Sequence, residues 1–259
     1  MKTVRLTKQE KIIILALIVV SAIAWVFTIH HSQSMGSEMP MINQPLIPGA
    51  ILFLIMWTVM MVAMMFPAVV PMVVIFSNVQ DKRKSRDQGF IPTWVFVSGY
   101  LLVWALFGVL AYFGDSLVGH LAVSFPKLQE YGSVIGGSAL IVAGLYQLTP
   151  LKNVCLTHCR SPLHFIMHKW REGYLGSLIM GIDHGAYCLG CCWGLMLVLF
   201  VVGVMNLAWM GILSLVIFIE KISKHGVVIS KAVGGLLILL GIAMAVEPKI
   251  HILSVVFGP

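Results

Sequence analysis

The chain has 259 residues, of which 59% are hydrophobic and only 10% charged, with a mean hydropathy of +0.96, whereas soluble domains carry about 25% charged residues. This excludes an ordinary water-soluble globule and predicts an all-α fold, a polytopic transmembrane helix bundle whose first partner is the lipid bilayer. The net charge of +7 does not imply a nucleic-acid partner, because Lys and Arg fall in short segments between apolar runs and not on one basic face.

The apolar runs predict a single membrane domain, 1–259, with about seven spans. The first, 12–29, follows Lys2, Arg5, Lys8 and Lys11 and has no small-residue cleavage site behind it, so it is expected to be retained. After it come His30, His31, Met35, Met39 and Met41, soft or borderline metal ligands with no Lys or Arg among them. The second span, 49–76, contains Met60, Met61, Met64 and Met65 ahead of Pro67 and Pro71, which are expected to kink it. Asp81 to Asp87 is the densest charge run and reads as a solvated cytoplasmic loop. Spans three and four cover 93–113 and 131–148. The segment 151–172 is polar and basic, and is expected to be a cytoplasmic Cys/His loop. The fifth span, 173–203, exceeds the ~20 residues a crossing requires and carries glycines at 176, 181, 185, 190 and 194, so tilt, a kink or a break is expected there. Spans six and seven cover 207–220 and 226–246. Of the 17 Lys and Arg, all but Lys127 and Lys249 then lie on one side. By the positive-inside rule the N-terminus is cytoplasmic and the C-terminus periplasmic.

The chemistry concentrates in Asp183-His184-Gly185-Ala186-Tyr187-Cys188-Leu189-Gly190-Cys191-Cys192. At ~100° per residue, His184, Cys188 and Cys191 share one face of a helix within about 60°, with Cys192 near its edge. A lone buried cysteine is usually an inert small hydrophobe. Three within five residues, beside an acid and an imidazole inside a span, call for a ligand. Thiolate and imidazole suit Cu(I), and also zinc or iron. Asp183 points away from His184 and reads as a supporting group. Met61, Met64 and Met65 are accessory thioether candidates, although methionines at helical spacing also serve as packing. On the inner side Cys155, Cys159, His164 and His168, with His158 between the thiols, have the pair spacings of a Cys2His2 set but too short a spacer for a zinc finger. They read as inner-side acceptors or a relay.

The blocks Ala63-Met64-Met65-Phe66-Pro67 and His184-Gly185…Cys188…Gly190-Cys191-Cys192-Trp193, followed by Met205-Asn206, Met210 and Glu220-Lys221, carry a resemblance over roughly 50–245. The chain resembles a bacterial family of integral membrane proteins of unknown function, described as predicted metal-binding. The resemblance implies a bacterial inner-membrane location, a metal site, and Glu220 as an outer ligand or helix-end anchor, against a structural ion pair with a lysine.

Three functions are consistent with these residues. The leading one is binding of a soft transition metal, copper(I) favoured, for transport, sequestration or delivery to a metallochaperone or metalloenzyme partner. The second is a membrane thiol-disulfide oxidoreductase using Cys188 and Cys191. The third is an assembly or scaffold subunit of a membrane complex. No Gly-x-Ser-x-Gly, phosphate-cradling loop or His-Glu-x-x-His supports a hydrolase or an ATP-driven pump.

Overall fold

The computed structural model describes residues 7–35, 46–125, 131–203 and 206–246. Lys2, Arg5, Met39, Met41, Lys127, Met205 and Lys249, singled out above, lie outside the described residues. Among the described residues the regular elements are all helices: α1 (Lys8–Met35), α2 (Leu46–Lys84), α3 (Thr93–Ser124), α4 (Gly132–Leu148), α5 (Pro150–Arg160), α6 (Pro162–Lys169), α7 (Gly173–Val202), α8 (Leu207–Ile222) and α9 (Gly226–Val246). Five of them, α1, α2, α3, α7 and α9, are long and apolar enough to cross a membrane. A sixth crossing results if α4 and α5, bent by 63° at Thr149, form one broken span.

Burial follows the helical period. In α1 Leu17, Ser21, Ala24 and Thr28 are buried, three or four residues apart, while Ile12, Leu15, Ile18 and Ile23 are exposed. Ser21 Oγ donates to the Ala63 carbonyl at 2.8 Å, tying α1 to α2. Helix α2 runs unbroken through Pro67 and Pro71 and continues to Lys84, past the expected end at 76, because no glycine or proline intervenes before Gly89. Helix α3 likewise outruns its expected end at 113 and reaches Ser124, just short of Pro126.

Of the tilt, kink or break expected within 173–203, a break does not occur, and α7 is one 30-residue helix. Its glycines permit close packing instead. A Cβ at Gly181 would lie 2.1 Å from the Phe96 carbonyl oxygen, and one at Gly99 would lie 2.2 Å from that of Leu178. Helices α3 and α7 therefore pack backbone to backbone, as small residues permit.

Residues 151–172, expected as a free loop, form α5 and α6, which fold back onto the bundle. Leu156, Phe165 and Ile166 are buried, and so is Lys152. Thr149 caps α5 by accepting from the Lys152 backbone N–H at 3.3 Å. Helix α5 packs against α7 with the Cys155 sulfur over Gly190, where a Cβ would come within 2.8 Å of it. The charge layout changes accordingly. Lys152 and Lys221, assigned above to the cytoplasmic surface, are interior side chains.

Candidate metal site

Helix α7 carries the centre of the site. His184, Cys188, Cys191 and Cys192 all face the interior, His184 being 3% exposed and the thiols no more than 1%. The shared face read from the sequence is present, and it is buried in protein.

Several other helices reach this face. From α3, the Tyr100 hydroxyl lies 3.2 Å from Cys188 Sγ. From α8, Lys221 Nζ donates to Cys188 Sγ at 2.9 Å. From α5, the Cys159 thiol comes close to the thiols of Cys188 and Cys191. Within α7, Cys191 Sγ and Cys192 Sγ donate to the Cys188 carbonyl at 3.1 Å and 3.0 Å. Cys188 is thus the hub, its sulfur touched by hydroxyl and ammonium and its carbonyl by two thiols.

His184 lies one turn earlier, its ring set among Phe96, Tyr100 and Phe165 with centroids 5.5 to 6.0 Å away. Its Nδ1 is buried without a hydrogen-bond partner. An orphaned buried acceptor or donor is costly and asks for an explanation. Among the described residues no three His, Cys, Asp or Glu side chains converge closely enough to hold a metal ion as they stand. What the site offers is neighbouring buried sulfurs with an unsatisfied imidazole nitrogen one turn away. That donor chemistry fits a soft ion content with a pair of sulfur ligands.

The remaining candidates separate into groups. Met61, Met64 and Met65 are fully buried on α2, and the Met64 carbonyl accepts from Ser214 Oγ of α8 at 3.3 Å. Asp183 turns away from His184 toward Arg171, 3.9 Å away. His158 stacks on Tyr187 at 4.5 Å between centroids and 3° between planes. His164 stacks on His168 at 4.0 Å, with His168 Nδ1 2.9 Å from the His164 carbonyl. Phe165 packs edge-on against both His184 and Tyr187, so a ring lies between the buried imidazole and the one stacked on Tyr187. Glu220 pairs with Lys152 at 2.7 Å, and Lys152 also donates to Gln147 Oε1. This is the structural ion pair set against a ligand role above.

Sequence reasoning missed Tyr100 and the role of Lys221. For Lys221 a signal existed, since a lysine at the end of an apolar helix is expensive unless it faces a partner. Tyr100 had none, because its contact depends on how closely α3 meets α7.

Long apolar helices enclosing buried thiols and an imidazole define a helical, membrane-compatible protein. The chain belongs to the PpoB2 family, described as copper chaperones, whose model matches residues 54–244. The match spans all the motif blocks and agrees with the metal-related family they resemble. Comparison with curated proteins and with solved structures gives no match.

Proposed function

We propose that the chain is a bacterial inner-membrane copper chaperone that holds Cu(I) between Cys188 and Cys191 and passes it on by sulfur exchange. Cys159, close to both thiols, takes the ion from or gives it to them, and Cys155, seated over Gly190, is the next sulfur along α5. His184 Nδ1 offers the pair a third donor. Met61, Met64 and Met65 are accessory thioethers, and His158, His164 and His168 are the inner-side acceptors toward a soluble metallochaperone or a metalloenzyme. Soft thiolates favour Cu(I) over harder ions, and coordination neutralises thiolates that burial would otherwise penalise.

In this reading the chain crosses the membrane seven times. The five long helices are joined by the bent α4–α5 pair and by α8, whose 16 residues are short for a full crossing. The N-terminus is cytoplasmic and the C-terminus periplasmic. The observation that carries the proposal is the burial of Cys188 and Cys191 beside an imidazole nitrogen without a partner, inside a chain of a copper-chaperone family.

Metal analysis of anaerobically purified protein tests it. Wild type should carry about one copper ion per chain, and Cys188→Ser and Cys191→Ser should lose it; equal copper in the variants refutes the assignment. Thiol trapping separates the oxidoreductase reading, since a chelator should unmask a metal-bound thiol whereas only a reductant recovers a disulfide.

A further inference from the structure

Lys221 ends α8 with its side chain buried, 8% exposed, and its Nζ 2.9 Å from Cys188 Sγ. A buried ammonium needs a counter-charge. The carboxylates near this end of the molecule are engaged elsewhere. Glu220, the adjacent residue, is held by Lys152 at 2.7 Å, Asp183 faces Arg171 at 3.9 Å, and Glu172 faces Arg83 at 3.0 Å. The Lys221 head meets instead the Cys188 sulfur, which the Tyr100 hydroxyl also approaches at 3.2 Å, and its charge acts on Cys191 and Cys159 nearby. Its ammonium touches the Cys188 sulfur directly, while Glu220, already paired with Lys152, acts on it only as a longer-range charge.

We infer that Lys221 sets the valence of the ion the site accepts, selecting a monovalent soft cation over a divalent one. The inference rests on the copper reading above and on the Cys188–Cys191 pair as ligands. Two cysteines that bind an ion release their thiol protons to solvent and bring two negative charges. Around a monovalent ion the centre is left with one net negative charge, and the Lys221 ammonium balances it. Around a divalent ion the centre is already neutral, and the ammonium is left unpaired in an interior where charge is poorly screened. Ligand softness does not make this distinction, because Cd(II) is also thiophilic. Charge does.

The test uses full-length protein purified anaerobically in detergent, titrated with Ag(I) and with Cd(II), redox-inert probes of the two valences, separately and in competition. Wild type should prefer Ag(I). Lys221→Met should lower the Ag(I)-to-Cd(II) affinity ratio by about 100-fold or more, the scale of losing one partner of a buried charge pair, while Lys221→Arg, which keeps the charge, should stay within about tenfold of wild type. The ratio is taken within each protein, so a reduced folded fraction cancels. If Lys221→Met does not fold, Lys221→Gln carries the same expectation. An unchanged ratio in the uncharged variant, or a wild type that prefers Cd(II), overturns the assignment. The copper reading fails separately if Cys188→Ser binds Ag(I) as wild type does, and the role of Lys221 then fails with it.

Discussion

Replacing Gly181 by alanine should loosen the whole site without touching any thiol. The new Cβ would meet the Phe96 carbonyl oxygen at 2.1 Å, where ordinary contact begins at 3.4 Å. Helices α3 and α7 must separate by about 1.3 Å at that level to admit it. A backbone oxygen has no rotamer by which to move aside, so the cost belongs at the upper end of the 1–3 kcal/mol typical of overpacking, about 3 kcal/mol. Tyr100 lies one helical turn from Phe96, and the same separation takes its hydroxyl, 3.2 Å from Cys188 Sγ, out of hydrogen-bonding range. Thermal unfolding in detergent, followed by reaction of the buried thiols with a maleimide, measures the effect. Gly211→Ala on α8 is the control, because its Cβ would meet nothing within 4 Å and alanine favours a helix over glycine by about 1 kcal/mol. Gly181→Ala should expose its thiols roughly 10 °C below wild type and lose copper affinity, while Gly211→Ala should match or exceed wild type. If the two variants melt together, the close backbone packing of α3 on α7 is not what positions the site.

Two further predictions follow from buried polar groups. Glu220→Ala strands Lys152, which has no exposed surface, and should cost about 3–5 kcal/mol; adding Lys152→Met should restore most of it, and a double-mutant cycle in the same unfolding assay shows whether it does. His184→Phe removes an imidazole whose Nδ1 bonds nothing in the fold, so stability should change by about 1 kcal/mol or less while copper affinity falls; a large stability loss with unchanged copper binding would make the ring structural.

The helices were legible because composition and period act locally. The runs 12–29, 93–113 and 226–246 each fall inside an observed helix, and the face shared by His184, Cys188 and Cys191 is dictated by helical spacing alone. Where the reading departed from the structure, longer-range physics decided. The segment 151–172 looked like a loop because Lys152, Arg160, Lys169 and Arg171 make it polar. Leu156, Phe165 and Ile166 supply enough apolar surface to dock it, and Glu220, 68 residues further on, supplies the partner that lets Lys152 go with it. The glycines of α7 suggested flexibility, but their function is set by the neighbouring helix, which the local sequence does not contain.

Glu220 and Lys221 are consecutive, and the ~100° advance between them sends opposite charges to different partners. Glu220 reaches Lys152 and so fixes α5 to α8, while Lys221 reaches Cys188 on α7. Helix α5 in turn delivers Cys159 to the same sulfur. The ion pair that holds the fold and the ammonium that faces the thiols are therefore mechanically linked through one turn of α8. Loosening α5 by removing Glu220 should withdraw Cys159 from Cys188, leaving the Cys188–Cys191 pair and Lys221 in place. Copper bound to Glu220→Ala should then be retained but exchanged more slowly with an external thiol, a kinetic signature distinct from the loss of binding expected of Cys188→Ser.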